Sequence, residues 1–253
     1  MSITDAELRT LNETGYLVKE DLIPPEWVAE IRRDLDGLHD RMAERVPEGV
    51  HVSWEHEVDA SIQRRIKQLM HAELVSPALD RLVRSPEVLD VVEGVLGPDI
   101  AFFHCKLLMK AARDGTVTPW HQDYSYWVTS DNRPLMLNCM LQIDDSTLEN
   151  GCLQMVPGSH LKGLVEHDRN AQPFGRFLPG YFQPREDAVP VPLRAGSAIF
   201  FGPLVIHGSD ANRSGGDRRA VTIAYNVTGN GMQATREVLR GQGAELAGSA
   251  GQR

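Results

Sequence analysis

Two histidines and one aspartate stand at spacings that could hold a metal ion. His121 and Asp123 are separated by one residue, and His207 follows far downstream. Two imidazoles and one carboxylate form the facial triad of non-heme iron enzymes, which holds Fe(II) by one face and leaves the other open to substrates and O₂. Arg218 follows eleven positions after His207, and its planar guanidinium suits a carboxylate of a co-substrate. The pattern therefore indicates an oxygenase.

The His-x-Asp tripeptide is weak evidence by itself, because the chain has nine histidines and 35 acidic residues. A chain of this composition contains about one His-x-Asp or His-x-Glu by chance, and this one contains a second at 71–73. We predict a helix over 62–74, where residues two apart diverge by roughly 200° and cannot share a metal. His121 and Asp123 follow a predicted strand, where residues two apart face the same side. Only the second pair is therefore expected to chelate.

His207 and Arg218 each have an ordinary structural alternative. His207 ends an apolar run, and it could be a core histidine, since histidine is often buried for structural reasons. Arg218 and Arg219 precede an apolar strand and could be a solvated pair at its edge. The residues alone leave both alternatives open.

Composition narrows the class of protein. The net charge of −9 argues against a general nucleic-acid binder, which would present a basic face. No apolar stretch approaches the length of a membrane span, and the N-terminus lacks the basic and apolar regions of a signal peptide. The odd number of cysteines (Cys105, Cys139 and Cys152) fits buried, reduced thiols. We expect a cytoplasmic protein without nucleic-acid or membrane partners; composition makes no prediction of oligomeric state.

The predicted secondary structure, which must position these residues, changes from mainly helical to mainly β near residue 100. Residues 1–100 are predicted to be mainly helical, with a short strand over 15–18. A capping box at Thr4 opens the first helix, and apolar steps of three and four after Pro25 define a second. Ser85 and Pro86 open a third helix, which is predicted to end at Leu96.

Beyond residue 100, short β-branched and aromatic runs alternate with Gly, Pro, Asn and Asp, which predicts about eight strands. These lie near 101–110, 117–121, 135–144, 152–156, 189–192, 197–201, 204–207 and 219–228. Short strands in this number favour a mostly β fold with flanking helices, an antiparallel double-stranded β-helix or jelly roll of the cupin type. We predict one domain, 1–253, with helical support over 1–100, a jelly-roll core over 101–230 and a loose tail over 244–253. The segment 161–187 lacks periodicity and is expected to be an active-site lid.

Several short motifs occur in order between about residue 60 and residue 227. They are His121-Gln122-Asp123, the segments 148–153 and 156–160, His207-Gly208-Ser209, and Asn212-Arg213-Ser214 followed by Arg218. Together they resemble the phytanoyl-CoA dioxygenase family, whose members are Fe(II)- and 2-oxoglutarate-dependent oxygenases. The resemblance implies a double-stranded β-helix with supporting helices, in agreement with the strand pattern.

The resemblance also implies roles for the residues that match its motifs. His121, Asp123 and His207 would be the catalytic iron ligands. Arg218 would bind the distal carboxylate of 2-oxoglutarate, with a hydrogen bond from Ser209 to the same group. Halogenating relatives replace the aspartate by Gly or Ala, so the presence of Asp123 favours hydroxylation over halogenation.

Other positions match the family less uniformly. Gln122 and Lys106 stand where members of the family contact the co-substrate. Lys67 lies near another such position, in the predicted helix, and could equally be a solvated lysine. Met140 occupies a position where many members carry Trp, which implies a different wall beside 2-oxoglutarate.

We therefore expect an enzyme that uses Fe(II), 2-oxoglutarate and O₂ to hydroxylate an unactivated C–H bond of a small-molecule metabolite, with release of succinate and CO₂. Tyr124, Tyr126 and Trp127 follow the iron motif and could form an aromatic wall for a substrate, or be ordinary core aromatics. Two alternatives remain: a non-catalytic sensor module that binds metal and 2-oxoglutarate, and a hydroxylase of protein side chains.

Overall fold

The computed structural model describes residues 2–55, 65–168, 176–180, 183, 185–231 and 237–241. The predicted loose tail over 244–253 lies outside the described residues. So do lid positions 169–175, 181, 182 and 184.

The predicted N-terminal helices are present. The first begins after Thr4, whose hydroxyl accepts a hydrogen bond from the Glu7 N–H while the Glu7 carboxylate accepts one from the Thr4 N–H. It ends at Gly15, which adopts a left-handed φ of 88° that glycine tolerates without strain. The elements of this part are α1 Asp5–Thr14, β1 Tyr16–Lys19, α2 Pro25–Leu35, α3 Leu38–Glu44, α4 Pro77–Val83 and α5 Pro86–Leu96.

The helix predicted over 62–74 is wrong throughout the described part of that range. Residues Ile66–Met70 form strand β3, which pairs with β2 (His51–Trp54), and a single 3-10 turn follows at Ala72–Leu74. β3 also pairs with the long strand β4 (Ile100–Lys110), which buries Ile66 and Leu69 against the helices. Sheet pairing with a distant segment therefore outweighs the helical spacing of the apolar residues.

Seven of the eight strands predicted beyond residue 100 are present, with shifts at their ends. The strand predicted over 204–207 is wrong for 204–206, and the observed strand begins at His207. A short helix, α6 (Tyr124–Trp127), follows the second strand of this region. The remaining strands are β5 Thr118–His121, β6 Met136–Gln142, β7 Leu153–Met155, β8 Val189–Pro190, β9 Ala198–Phe201, β10 His207–Ser209, β11 Arg218–Val227 and β12 Glu237–Val238.

The strands form two antiparallel sheets in the described part of the chain. The larger sheet has the order β1-β9-β6-β11-β4-β3-β2, with β12 on the edge of β4, and the smaller has the order β5-β10-β7-β8. Met140 and Phe201 of the larger sheet pack in one cluster with Leu153 and Met155 of the smaller sheet. The two sheets therefore face each other as a jelly roll, which confirms the predicted fold class.

The outer face of the larger sheet packs on the helices. Ile31 of α2 and Leu82 of α4 are fully buried in one cluster with Leu107 and Ile223 of the sheet. The three cysteines are buried and unpaired, as expected of small apolar side chains. Within the described residues, no helix combines the length and apolar character needed to cross a bilayer.

Candidate metal centre

His121, Asp123 and His207 converge between the two sheets. His121 ends β5 and is in register with His207, the first residue of β10; their ring centroids lie 4.2 Å apart. Asp123 directly precedes α6 and places one carboxylate oxygen 3.6 Å from His121 Nε2 and the other 3.7 Å from His207 Nε2. All three ligand atoms lie within 4.8 Å of one another, which is a geometry that one metal ion can bridge.

Backbone carbonyls orient both imidazoles. The Nδ1 of His121 lies 2.8 Å from the carbonyl oxygen of Pro119, and the Nδ1 of His207 lies 2.9 Å from that of Val205. Each Nδ1–H therefore donates to the backbone, which leaves the Nε2 lone pair directed at the shared point. This is the tautomer that a metal ligand requires.

The charges of the three groups suit a cation. Burial, assisted by the nearby His121, lowers the pKa of His207 to about 4, so this imidazole is neutral at pH 7, as a metal ligand must be. Burial alone would raise the pKa of Asp123, but His207 and His121 together hold it below its usual range. The fully buried Asn138 donates from Nδ2 to Asp123 Oδ2 over 2.9 Å, which fixes the carboxylate.

A cavity of about 350 Å³ opens beside the triad. Side chains of β4 alternate between its two faces, as strand geometry requires. Cys105 and Leu107 pack in the cluster beneath the helices, whereas Lys106 and Leu108 line the cavity. Met140, on β6, also lines it, so the position where the family often carries Trp does form part of the wall.

The cavity extends along the paired strands β4 and β11, and the residue pairs along these strands define its two ends. Three pairs follow one another along β4 and β11: Lys110 with Arg218, Lys106 with Thr222, and His104 with Ala224. Asn138, the partner of Asp123, is in register with Ala224. The six residue steps from Lys110 to His104 span roughly 20 Å of strand. We call the two ends of this row the Arg218 end and the His104 end; the metal centre lies at the level of Lys106 and His104.

Arg218 is buried at the Arg218 end of the cavity, and only part of its guanidinium is hydrogen-bonded within the described residues. Its Nη2 donates to the carbonyl oxygen of Gly151 over 2.8 Å. Its Nε and Nη1 have no hydrogen-bond partner within the described residues, although the side chain is only 2% exposed. Burial lowers the pKa of the guanidinium to about 10, so it stays charged at pH 7. A buried cation with two unpaired donors is a site for an anion; Ser209 lines the same cavity.

A polar network that the motifs did not indicate lies beside Arg218. Lys110 donates to the carbonyl oxygens of Thr116 and Asp210 over 2.6 and 2.7 Å, and burial lowers its pKa well below the usual value. The Thr116 hydroxyl donates to the carboxylate of Glu55 over 2.7 Å and accepts from Lys67 over 2.5 Å. Lys67 thus lines the cavity from strand β3 and not from a helix. Counting in twos from Lys106 would have placed Lys110 on the same face.

Gln122, which was expected to contact the co-substrate, is not among the described residues that line the cavity. It follows the last residue of β5, and its side chain is fully buried. Its amide donates to the carbonyl oxygens of Gly163 and Leu204, and its Oε1 accepts from the Val165 N–H. The side chain is thus hydrogen-bonded to protein, and a contact with the co-substrate stays a prediction.

The predicted aromatic wall is formed in part. Tyr126 and Trp127 line the cavity, and the Tyr126 ring lies 6.1 Å from that of His121. Tyr124 does not line it, since its hydroxyl is directed at Asn132. Trp127 instead meets Phe103 and His104 at ring distances of 5.5 and 5.6 Å. These two residues belong to the wall at the His104 end, and strand alternation from Lys106 would have indicated His104.

The second candidate tripeptide, His-x-Glu at 71–73, does not lie in the helix that was predicted to keep its side chains apart. His71 adopts a left-handed φ of 63° in front of a 3-10 turn, and its Nδ1 lies 3.4 Å from a Glu73 oxygen. The two side chains therefore do converge. Among the described residues, however, the only group of three or more His, Cys, Asp or Glu that could hold a metal is the triad.

A triad of two histidines and one aspartate between the sheets of a jelly roll defines a metal centre of the non-heme iron type. Residues 11–220 match the model of the phytanoyl-CoA dioxygenase (PhyH) family. The match covers most of the chain, and the protein belongs to that family, which confirms the resemblance of the motifs.

Curated relatives are similar over different shares of the chain. L-proline trans-4-hydroxylase of Streptomyces griseoviridis is 33% identical over an alignment of 173 residues, with coverage of 59% of this chain and 63% of that enzyme. The ectoine dioxygenase of Bordetella parapertussis is 25% identical over 247 residues, 88% of this chain and 75% of the relative. The human peroxisomal phytanoyl-CoA dioxygenase is 26% identical over 234 residues, 88% and 68% of the two chains.

Solved structures share the fold. EctD from S. alaskensis, determined with 2-oxoglutarate and 5-hydroxyectoine, has a TM-score of 0.72 at 22% identity and covers 95% of this chain and 84% of its own. The α-ketoglutarate-dependent carbocyclase SnoK from nogalamycin biosynthesis has a TM-score of 0.66 at 23% identity, with coverage of 88% and 83%. The epimerase SnoN from the same biosynthesis has a TM-score of 0.65 at 20% identity, with coverage of 94% and 98%.

Proposed function

We propose that this protein is an Fe(II)- and 2-oxoglutarate-dependent oxygenase that hydroxylates an unactivated C–H bond of a small-molecule metabolite. The observation that carries the proposal is the pairing, in one cavity, of the metal triad with a buried Arg218 whose Nε and Nη1 have no partner among the described residues. A triad alone would fit many metal proteins. A triad facing a cation that needs an anion fits a dicarboxylate co-substrate.

The residues present fit both groups. His121 and His207 direct their Nε2 atoms at one point, and Asp123 offers a carboxylate held in place by Asn138. When bound, Fe(II) with 2-oxoglutarate would supply the activation of O₂ and the oxidation of the substrate. The guanidinium of Arg218 would hold the distal carboxylate of the co-substrate and so fix its orientation towards the triad.

The two ends of the cavity would then hold different molecules. Arg218, Ser209 and the neighbouring Lys110 form the polar end, which suits the co-substrate. Lys106, which lies level with the metal centre and whose charge acts on Asp123, is placed to contact the other end of the same molecule. The His104 end, walled by Trp127, would receive the substrate and exclude water from the reacting atoms.

The size of the cavity favours a small substrate. Its volume of about 350 Å³ would have to hold both the co-substrate and the reacting part of the substrate, and ligand sites of small metabolites start near this size. Relatives named for their activity towards L-proline and ectoine supply the first compounds to test. The presence of Asp123 argues against halogenation.

The test is a mass-spectrometric assay of purified protein with Fe(II), 2-oxoglutarate and O₂ against a panel that includes L-proline and ectoine. We expect succinate together with a product heavier by one oxygen, and neither with the His121→Ala variant. Wild-type protein that binds neither iron nor 2-oxoglutarate would overturn the proposal.

The same assay separates the other functions. Tight binding of 2-oxoglutarate without succinate would indicate a sensor module, and an oxygen gained by co-purifying proteins would indicate a protein hydroxylase. Succinate with a product that has gained no oxygen would indicate another oxidation, for which the carbocyclase and epimerase among the solved structures offer precedents.

A further inference from the structure

Gln122 stands between two metal ligands in the sequence, but it is not among the described residues that line the cavity. Its side chain is fully buried, and each of its polar groups has a protein partner. We propose that Gln122 is a positioning residue that holds the segment 163–168 on the metal-binding strand and thereby keeps Phe177 in the cavity wall beside His121. The effect on catalysis rests on the proposed function; the contacts do not.

The side chain of Gln122 bonds to both neighbouring loops. Its Nε2 donates to the carbonyl oxygens of Gly163 over 2.9 Å and Leu204 over 2.6 Å. Its Oε1 accepts from the Val165 N–H over 2.9 Å. Leu204 lies three residues before the ligand His207, so one side chain joins the approach to β10, the end of β5 and the segment 163–168.

The backbone of Gln122 adds a contact through His167. The Gln122 N–H donates to His167 Nε2 over 3.1 Å, and His167 Nδ1 lies 2.8 Å from the carbonyl oxygen of Val165. With Nδ1–H donating to that carbonyl, Nε2 is free to accept. The imidazole therefore holds residues 165–167 against the end of the strand that carries His121.

The segment held in this way supports Phe177. Asp168 and Phe177 exchange two backbone hydrogen bonds of 2.7 and 3.2 Å, and the N–H of Leu178 donates to the carbonyl oxygen of Trp120 over 3.0 Å. Phe177 is buried, lines the cavity, and places its ring 6.2 Å from that of His121. Residues 120–122 thus anchor both limbs of the loop that supplies this part of the wall.

Loss of the Gln122 amide would loosen the part of the cavity wall formed by Phe177 without changing the residues at the Arg218 end. Three half-buried backbone groups would lose their partner, which is costly, and the segment would satisfy them again only by admitting water. Water near the metal centre would let co-substrate be consumed without oxidation of the substrate. Arg218 and Lys110, on the larger sheet, would keep their geometry.

The first test is hydrogen–deuterium exchange of the metal-free protein. Gln122→Leu should speed exchange at 163–168 and 176–178 by about tenfold or more, because the local opening energy falls. Gln154→Leu is the matched control, since Gln154 also bonds through its side chain, to Asp210, but lies on β7. If Gln122→Leu does not fold, His167→Phe tests the same contact from the loop. Unchanged exchange in the folded variant would overturn the proposal.

The second test separates positioning from binding. With Mn(II) in place of iron and no O₂, the Kd of 2-oxoglutarate for Gln122→Leu should stay within about twofold of wild type. A Kd raised about tenfold or more, with exchange unchanged, would make Gln122 a co-substrate ligand and refute the proposal. If wild-type protein fails to bind 2-oxoglutarate at all, the proposed function fails, while the exchange experiment still decides the role of Gln122.

The third readout is the amount of product formed per succinate. Gln122→Leu and Phe177→Leu should both lower this ratio, because both open the same wall, and Gln154→Leu should leave it unchanged. A purely structural effect would reduce product and succinate together and leave the ratio intact, and that result would refute the link to Phe177.

Discussion

Lys110 and Arg218 lie directly opposite each other on β4 and β11, with both side chains buried on the cavity face. Like charges at facing positions destabilise a sheet, and burial lowers the pKa of both groups. Lys110 is compensated by two carbonyl oxygens. In the part of the chain that the structure describes, Arg218 has one carbonyl partner and two donors without a partner, so an anion at this end would relieve both the repulsion and the missing bonds.

Dicarboxylates should therefore stabilise even the metal-free protein. At a concentration of 100 times Kd, a bound ligand adds about 2.7 kcal/mol to the free energy of unfolding. Arg218→Met should weaken the binding of 2-oxoglutarate by about 100-fold, since it removes two charge-assisted hydrogen bonds. Thermal unfolding and calorimetric titration with glutarate, and with butyrate as the monocarboxylate control, measure this. Equal affinity in wild type and Arg218→Met would contradict the assignment of the Arg218 end.

The orientation of Asp123 by Asn138 should be visible in metal affinity. Asn138→Leu removes the hydrogen bond to Asp123 Oδ2, and the loss of such a partner typically weakens metal binding by about 10- to 100-fold. Titration with Co(II), followed by its visible absorption, gives the Kd. Gln142→Met is the control, because Gln142 lies on the same face of β6 as Asn138, four residues further along the strand, and does not line the cavity in the described structure. An unchanged Kd in Asn138→Leu would show that the carboxylate needs no such support.

The metal-free protein should lose stability as the pH falls from about 6.5 towards 4. His207 titrates near 6.5 in the unfolded chain, and burial lowers its pKa to about 4 in the fold. Between these values the unfolded state binds more protons, so the free energy of unfolding falls with pH, by on the order of 3 kcal/mol at most. Urea unfolding at several pH values measures the slope. His207→Gln should flatten it, and an equal slope in both proteins would count against a buried neutral His207.

The helices and the jelly roll should unfold as one unit, as the prediction of a single domain requires. Ile31 of α2 is fully buried in the cluster that includes the sheet, so Ile31→Ala should cost about 2–5 kcal/mol. Thermal unfolding should show one transition, shifted down as a whole, whereas the exposed Arg33→Ala should change little. A separate early transition in Ile31→Ala would show that the helical part melts independently.

Local patterns predicted part of the fold and part of the site. Short β-branched and aromatic runs between turn residues indicated the jelly-roll strands. Strand alternation was the reason for pairing His121 with Asp123, whereas in the structure β5 ends at His121 and Asp123 precedes α6 with a helical backbone. Strand β3 was missed because Ile66 and Leu69 are spaced as in a helix, and only their pairing with β4 makes them a strand.

Local sequence patterns could not predict contacts between residues that are far apart in the sequence. The Thr116 network joins Glu55, Lys67 and Lys110, and none of these separations has a spacing rule. Likewise, the buried guanidinium of Arg218 donates its hydrogen bond to Gly151, 67 positions earlier in the sequence. Charge alone suggested a solvated arginine here, and only the packing of the two sheets removes it from water.

The row of side chains along β4 has a consequence for how such enzymes diversify. Lys110 stands beside Arg218, Lys106 level with the metal centre, and His104 against the aromatic wall, so a single strand carries three kinds of contact, about 13 and 7 Å apart. A substitution at His104 or Trp127 would alter which molecule is admitted while the co-substrate machinery is inherited intact. A duplicated gene could thus acquire a new substrate by a few changes at one end of one strand.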